Sequence, residues 1–161
     1  MDPIEKFFAP RSVAVVGASA AKGRPGRIVM ENLIANGFAG DIHPVNPRGG
    51  RILGRPVKRA IADLPDGVDM AFVILPAALT VAAVTECAAR GIAVVVLAAG
   101  GFAEVDRMGE DLQAELRRVI SETGVRVLGP NTAGHISTPG DITSSFLPLG
   151  RIPRGNISYV T

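Results

Sequence analysis

The chain has 161 residues, long enough for one domain with its own core, and 47% of them are apolar. With six Phe, one Tyr and no Trp, that core must be built from Val, Ile, Leu and Ala, the usual filling of a parallel sheet covered by helices. A net charge of +2 makes no case for nucleic acid, and the longest unbroken apolar run, residues 92–99, is too short to span a bilayer.

In chain order, residues 1–6 lack the basic and hydrophobic regions of a secretory signal. Ser12–Val16 reads as a strand and residues 26–36 as a helix, with Ile28, Val29, Leu33 and Ile34 on one face and Gly37 placed to end it. Asp41–Val45 is a second strand. Residues 46–67 hold three prolines and four glycines and read as an irregular connection, with a short helix near 59–63. Residues 69–75 form a third strand, nearly all apolar, as expected where both sheet faces are covered. Pro76 opens a helix over 78–90 that Gly91 closes. Residues 92–97 are a fourth strand, 104–123 a long helix ending at Gly124, and 125–128 a fifth strand.

Strand–helix alternation of this kind predicts an α/β fold: a Rossmann-like, doubly wound parallel sheet in three layers. Residues 1–134 are expected to form this domain, residues 135–154 a linker rich in Ser, Thr, Pro and Gly, and residues 155–161 the start of a following domain. Ligands of such sheets bind beyond the carboxyl ends of the strands, and every chemically suggestive segment falls at such an end.

After the first strand, Gly17 fits the first glycine of G-x-G-x-x-G, but Ser19 and Lys22 stand at the other two places. A longer turn using Gly23 and Gly26 fits better. In it Ser19 offers a hydroxyl, the backbone at Gly17, Ala18 and beyond offers N–H groups, and Lys22 or Arg27 offers positive charge to a pyrophosphate. After the second strand comes Val45-Asn46-Pro47-Arg48. A dehydrogenase reading a ribose diol wants Asp or Glu there, whereas between Asn32 and Ala62 the only acid is Asp41, at the wrong end of the strand. Arg48 suits a phosphate on the ribose. NADP carries one at the 2′ position and coenzyme A at the 3′ position, and these residues do not separate the two. Arg48, Arg51, Arg55, Lys58 and Arg59 crowd twelve residues without an acid, either a solvated loop or a means of capturing an anion.

Gly100 and Gly101, after the fourth strand, let a ligand approach the backbone closely. Glu104 is expected to favour the start of its helix through the macrodipole. Of the two histidines, His43 reads as structural within its strand, and His135 is the better candidate for a phosphoryl acceptor, though no carboxylate accompanies it. Cys87 reads as a small core residue. A lone cysteine excludes an internal disulfide framework and suits a reducing cytoplasm. No metal site is expected.

The segments Phe8-Ala9-Pro10-Arg11-Ser12-Val13-Ala14-Val15-Val16-Gly17-Ala18-Ser19, Pro44-Val45-Asn46-Pro47-Arg48, Gly100-Gly101-Phe102-Ala103-Glu104 and Gly129-Pro130-Asn131 stand in an order that resembles NDP-forming acyl-CoA synthetases, relatives of the succinyl-CoA synthetase α subunit. So do Asn32-Leu33, Gly37-Phe38-Ala39-Gly40, and Asp69 with Leu75-Pro76. The resemblance implies a CoA-binding domain. The 17–26 loop and the Asn46-Pro47-Arg48 turn would grip the nucleotide phosphates, and Pro76, Ala99, Gly100 and Gly101 would line the path of the pantetheine arm. It implies an acid–CoA ligase working through acyl phosphate and phosphohistidine, with this chain holding CoA or acyl-CoA, inactive alone and partnered by the ligase's other domains. Two departures stand out: Arg48 where the family often has Lys, and Thr132 where it commonly has Cys. The residues leave open a CoA-sensing module fused to a protein acetyltransferase, and an NADP-dependent oxidoreductase.

Overall fold

The computed structural model describes residues 3–158. A short helix α1 (Glu5–Phe8) leads into β1 (Ser12–Val16), α2 (Pro25–Ala35) and β2 (Asp41–Val45). A small hairpin of β3 (Arg51–Ile52) and β4 (Arg55–Pro56) and a 3-10 turn (Ile61–Asp63) follow. Then come β5 (Met70–Val73), α3 (Ala77–Ala89), β6 (Val94–Leu97), α4 (Arg107–Thr123) and β7 (Arg126–Leu128). A second hairpin, β8 (Ile136–Ser137) and β9 (Ile142–Thr143), flanks a 3-10 turn at Thr138–Gly140.

The main sheet has the order β2-β1-β5-β6-β7, every neighbouring pair parallel. The chain leaves β1 toward β2 on one side, then crosses to β5 on the other. The strand order therefore switches between β1 and β5, where a crevice opens in sheets of this type.

Because strand side chains alternate, each strand feeds both faces. Ala14, Val16, Ala71, Val73, Val95 and Leu97 pack with Val81, Val84 and Cys87 of α3 and Leu116 and Val119 of α4. Val13, Val15, Met70, Phe72, Val94 and Val96 pack with Val29, Met30 and Leu33 of α2. The three-layer, doubly wound sheet expected from the sequence is the one observed.

Local chemistry sets the ends of the helices. Pro25 occupies the first turn of α2, where its missing N–H removes no bond. Gly37 (φ 80°) ends that helix with paired bonds, Gly37 N–H to Ile34 O (3.1 Å) and Phe38 N–H to Leu33 O (3.0 Å). Helix α4 starts at Arg107, not 104, because the Asp106 carboxylate caps the Gly109 N–H at 2.9 Å. Glu104 is outside the helix, so the macrodipole role expected for it is not the one it has.

Two features differ from the sequence expectation. Residues 51–56 are a hairpin rather than wholly irregular. Part of the segment expected as a linker packs on the sheet: Ile142 is fully buried in the α2-side core, with Phe7 of α1 and Phe146 beside it. Burying such a side chain contributes roughly 1.5–3 kcal/mol. One helix does not cover that face, and this hairpin supplies the missing apolar cover. Asn32 on α2 and Asn36 at its end hold the irregular segment that follows: the Asn32 amide donates to Ser145 O (2.8 Å) and Leu147 O (2.7 Å), and the Asn36 amide donates to Gly150 O (2.7 Å). Residues 155–158 carry neither helix nor strand, and the rest of the strand expected there, residues 159–161, lies outside the described residues.

Candidate functional site

The loop after β1 and the start of α2 are locked together. Gly17 has φ 91°, and a Cβ there would lie 2.1 Å from Ile74 O. A Cβ on Gly26 would lie 2.1 Å from Gly17 O. Both glycines therefore permit backbone-on-backbone contact, the first between the β1 and β5 loops, the second between α2 and the loop before it. The Gly17 and Ala18 N–H groups both donate to Val45 O (3.1 and 3.2 Å). Val45 thus acts through its carbonyl, while its side chain is buried. The Gly17 and Ala18 amides are engaged, and the Ala21 N–H is given to Ser19, so backbone donors for an anion must come from the other residues of 19–24 and from Gly26, Pro25 having none.

Asn46 is the clasp between the two loops. Its side-chain amide donates to Ala18 O (2.8 Å), its side-chain oxygen accepts the Arg48 N–H (3.0 Å), and its own N–H donates to Lys58 O (2.9 Å). Around it lies an open cavity of about 520 Å³. Gly17, Ala18, Ser19, Asn46, Pro47 and Arg48, all expected from the sequence, line it. Ala21 and Arg24 line it too and were not singled out, although a cation immediately before Pro25 marks the helix cap. Neither Arg24 nor Arg48 pairs with a carboxylate among the described residues.

Two expected cations stand differently. Lys22 is exposed and outside the cavity lining. Arg27 pairs with Glu31 (2.7 Å) and donates to Ala20 O (3.3 Å), which makes it a brace for the loop with its charge already balanced. Ser19 accepts the Ala21 N–H at 3.2 Å, leaving its hydroxyl proton free to donate.

Pro76, Ala99, Gly100 and Gly101 do not line this cavity; they sit at the ends of the neighbouring strands β5 and β6. Pro76 caps α3. Gly101 (φ 100°) lies against Ala77, where a Cβ would approach Ala77 Cβ to 3.2 Å. Glu104 closes this loop by accepting the Gly101 N–H at 2.8 Å, and the N–H groups of Glu104 and Gly101 hold its carboxyl below the usual range. The Asn131 N–H donates to Ala99 O (2.9 Å), which ties the loop after β7 to the loop after β6.

Three residues singled out by the sequence are structural. His135 has a partner at both ring nitrogens: Nε2 donates to Phe7 O, and Nδ1 lies 2.9 Å from the Ser144 hydroxyl, which donates to His135 O (3.0 Å). Burial pushes its pKa below 6.5, against a smaller upward pull from Phe7 O, so it is neutral at pH 7 and joins α1 to the β8–β9 hairpin. Asp69 is at the amino end of β5. Burial alone would raise its carboxyl, but the Arg11 N–H (2.9 Å) and Lys6 (3.1 Å) hold it below the usual range. Cys87 is buried in the core, its thiol pushed up to about 12 by burial. Burial also lowers His43, whose ring lies 3.2 Å from the Ser12 hydroxyl. A second cavity, about 430 Å³ and lined by Arg11, Gly40 and Asp141, opens at the opposite, amino end of the sheet. Among the described residues no three His, Cys, Asp or Glu could hold a metal ion, and no helix is long and apolar enough to cross a membrane.

A parallel α/β sheet with a cationic crevice between the loops after β1 and β2, at the carboxyl ends of its strands, defines a Rossmann-like nucleotide-binding domain. The chain belongs to the CoA binding domain family, whose description matches residues 11–137. It is 38% identical over 157 residues to the ADP-forming acetate–CoA ligase II of Archaeoglobus fulgidus, covering 98% of this chain and 23% of that protein. It is 38% identical over 154 residues to the α subunit of the ADP-forming acetate–CoA ligase I of Pyrococcus furiosus, covering 93% and 33%. Among solved structures it superposes on the dinucleotide-forming acetyl-coenzyme A synthetase 1 of Ca. Korarchaeum cryptofilum, in complex with phosphate and ADP, with TM-score 0.84 and 34% identity over 91% of this chain and 31% of that one. The chain thus spans a third or less of the length of these curated relatives.

Proposed function

We propose that this chain holds coenzyme A at the carboxyl ends of its strands, as the CoA-binding part of an NDP-forming acid–CoA ligase. The observation that carries this reading is the cavity walled by Arg24 and Arg48, with no carboxylate where a ribose diol would be read. In it, the Ser19 hydroxyl, the amides of residues 19–24 other than Ala21, the Gly26 amide and Arg24 face the pyrophosphate. The Asn46-Pro47-Arg48 turn faces the ribose 3′-phosphate. The pantetheine arm then runs past Pro76 to Ala99, Gly100 and Gly101, where glycine leaves room for it. Lys22 adds charge at the rim and Arg27 keeps the loop in shape.

No residue here is assigned a catalytic role. Acid activation, phosphohistidine and nucleotide binding belong to other domains of the same ligase, which are this chain's partners. The relatives' names support this division, as does a neutral His135 with both nitrogens engaged. A cytoplasmic setting fits the single buried cysteine.

Titration calorimetry tests the reading. CoA should bind more tightly than 3′-dephospho-CoA, NADP should bind more weakly than CoA, and Arg48→Ala should remove most of the phosphate preference. A charge-assisted contact of this kind is worth roughly 1.5–3 kcal/mol, toward the low end for an exposed side chain. Equal affinity for CoA and its dephospho form would show that Arg48 does not read the phosphate. Displacement of CoA by NADP at equal concentration would overturn the assignment of the ligand.

A further inference from the structure

The basic run at residues 48–59 is resolved by the structure into cations with different duties. Arg51 donates to Gly54 O and Arg55 to Leu53 O (3.4 Å), so both guanidiniums stitch the β3–β4 hairpin. Arg59 makes no such bond among the described residues. The segment before it is laid along the free edge of β2: Lys58 N–H donates to Pro44 O (2.9 Å), Lys58 O accepts the Asn46 N–H (2.9 Å), and Val45 and Lys58 form a parallel bridge. This short extension of the sheet brings Arg59 beside the turn that carries Arg48. A Cβ on Gly49 would come within 3.2 Å of Arg59 Nε and 3.4 Å of its Cζ, so the guanidinium lies against the bare backbone of that turn. The turn is itself closed by the Gly49 N–H donating to Asn46 O (2.9 Å). Asp63, the nearest acid along the chain, turns back to accept the Ala60 N–H (3.0 Å) and forms no ion pair with Arg59 among the described residues.

Two guanidiniums, eleven residues apart in sequence (48 to 59), thus flank one turn with no carboxylate between them. We propose that Arg59 is a second reader of the ribose phosphate: it closes from the β2 edge on the phosphate that Arg48 holds from the cavity side. This inference rests on the proposed binding of CoA and adds a specificity-determining residue to it. A phosphate monoester near neutral pH carries more than one negative charge and has three terminal oxygens, enough for two forks, whereas a bridging pyrophosphate oxygen pair offers less. The pairing therefore favours a terminal phosphate over a bare ribose, and a dianion over a monoanion. Gly49 is part of the device: at φ 63° a side chain there would be strained, and its Cβ would push against the Arg59 guanidinium.

The test is titration of the full chain with CoA and with 3′-dephospho-CoA, for wild type, Arg59→Gln and Arg51→Gln, with thermal melts to confirm folding. Arg59→Gln should weaken CoA roughly three- to tenfold while leaving 3′-dephospho-CoA within about twofold, the range for a partly solvated charge contact. The salt dependence of CoA binding should also become shallower. Arg51→Gln should leave both ligands unchanged, and Arg59→Lys should recover part of the loss, since it keeps the charge without the fork. The inference is overturned if Arg59→Gln weakens both ligands equally or neither, while wild type still prefers CoA. If wild type binds no CoA, the proposed function itself falls and takes this inference with it; the two failures are read from different titrations.

Discussion

Replacing Asn46 by Asp tests whether one side chain clasps the two ligand loops. The substitution keeps the shape and the oxygen that accepts the Arg48 N–H at 3.0 Å, but removes the N–H donor to Ala18 O at 2.8 Å. Two oxygens then face each other at a half-buried position. Leaving such an acceptor without its donor costs about 1–3 kcal/mol. For a domain of this size each kcal/mol moves Tm by about 2–4 °C, so Asn46→Asp should lower Tm by roughly 2–12 °C. The same change puts a negative charge on the wall of the cavity proposed to hold CoA, and repulsion of about 1–2 kcal/mol should weaken CoA by roughly tenfold. Differential scanning fluorimetry and calorimetry measure the two effects. Toward acid pH the stability deficit should narrow, because a protonated carboxyl can again donate to Ala18 O; the protonated form is favoured only in the folded state, so this contribution is present at low pH and lost as pH rises. A variant that melts with wild type and binds CoA with unchanged affinity would refute the clasp.

Asn32→Ala removes the donor shared by Ser145 O and Leu147 O and should cost about 2–4 kcal/mol in urea unfolding, with faster proteolysis within residues 144–152. His135 has its folded pKa lowered below 6.5, so the unfolded chain binds the proton more readily; stability should be full above 6.5 and fall as pH drops through the folded pKa, and His135→Gln should flatten that decline, leaving the share from His43. Cys87, its thiol pushed up to about 12 and buried in the core, should not react with a thiol reagent at pH 8 until denaturant unfolds the chain.

Much of this was legible in the sequence because short-range rules govern it. Apolar strands of four to seven residues alternating with longer periodic segments forced a parallel doubly wound sheet, and the absence of an acid after β2 is the ground for proposing a phosphorylated ribose there. Gly37 and Gly124 ended their helices where the sequence placed those ends, since the left-handed turn is a local requirement. Fixing where α4 begins needed a choice between two acids, Glu104 and Asp106, that only the backbone path decided.

What the sequence alone determined was therefore the layer architecture, the end of the sheet at which the cationic cavity opens, and the residue types gathered there. Tertiary structure decided which donors are free: Gly17 and Ala18 are bonded to Val45 O, Arg27 is neutralised by Glu31, and Arg24 takes a place on the cavity wall. It also made residues 136–143, polar and interrupted by Pro and Gly, into cover for a sheet face that α2 leaves partly open. The physical reason is the same in each case. Periodicity and propensity describe what a segment prefers by itself, whereas the partner of a given N–H, carboxylate or apolar surface is fixed only when segments far apart in the chain come within bonding distance.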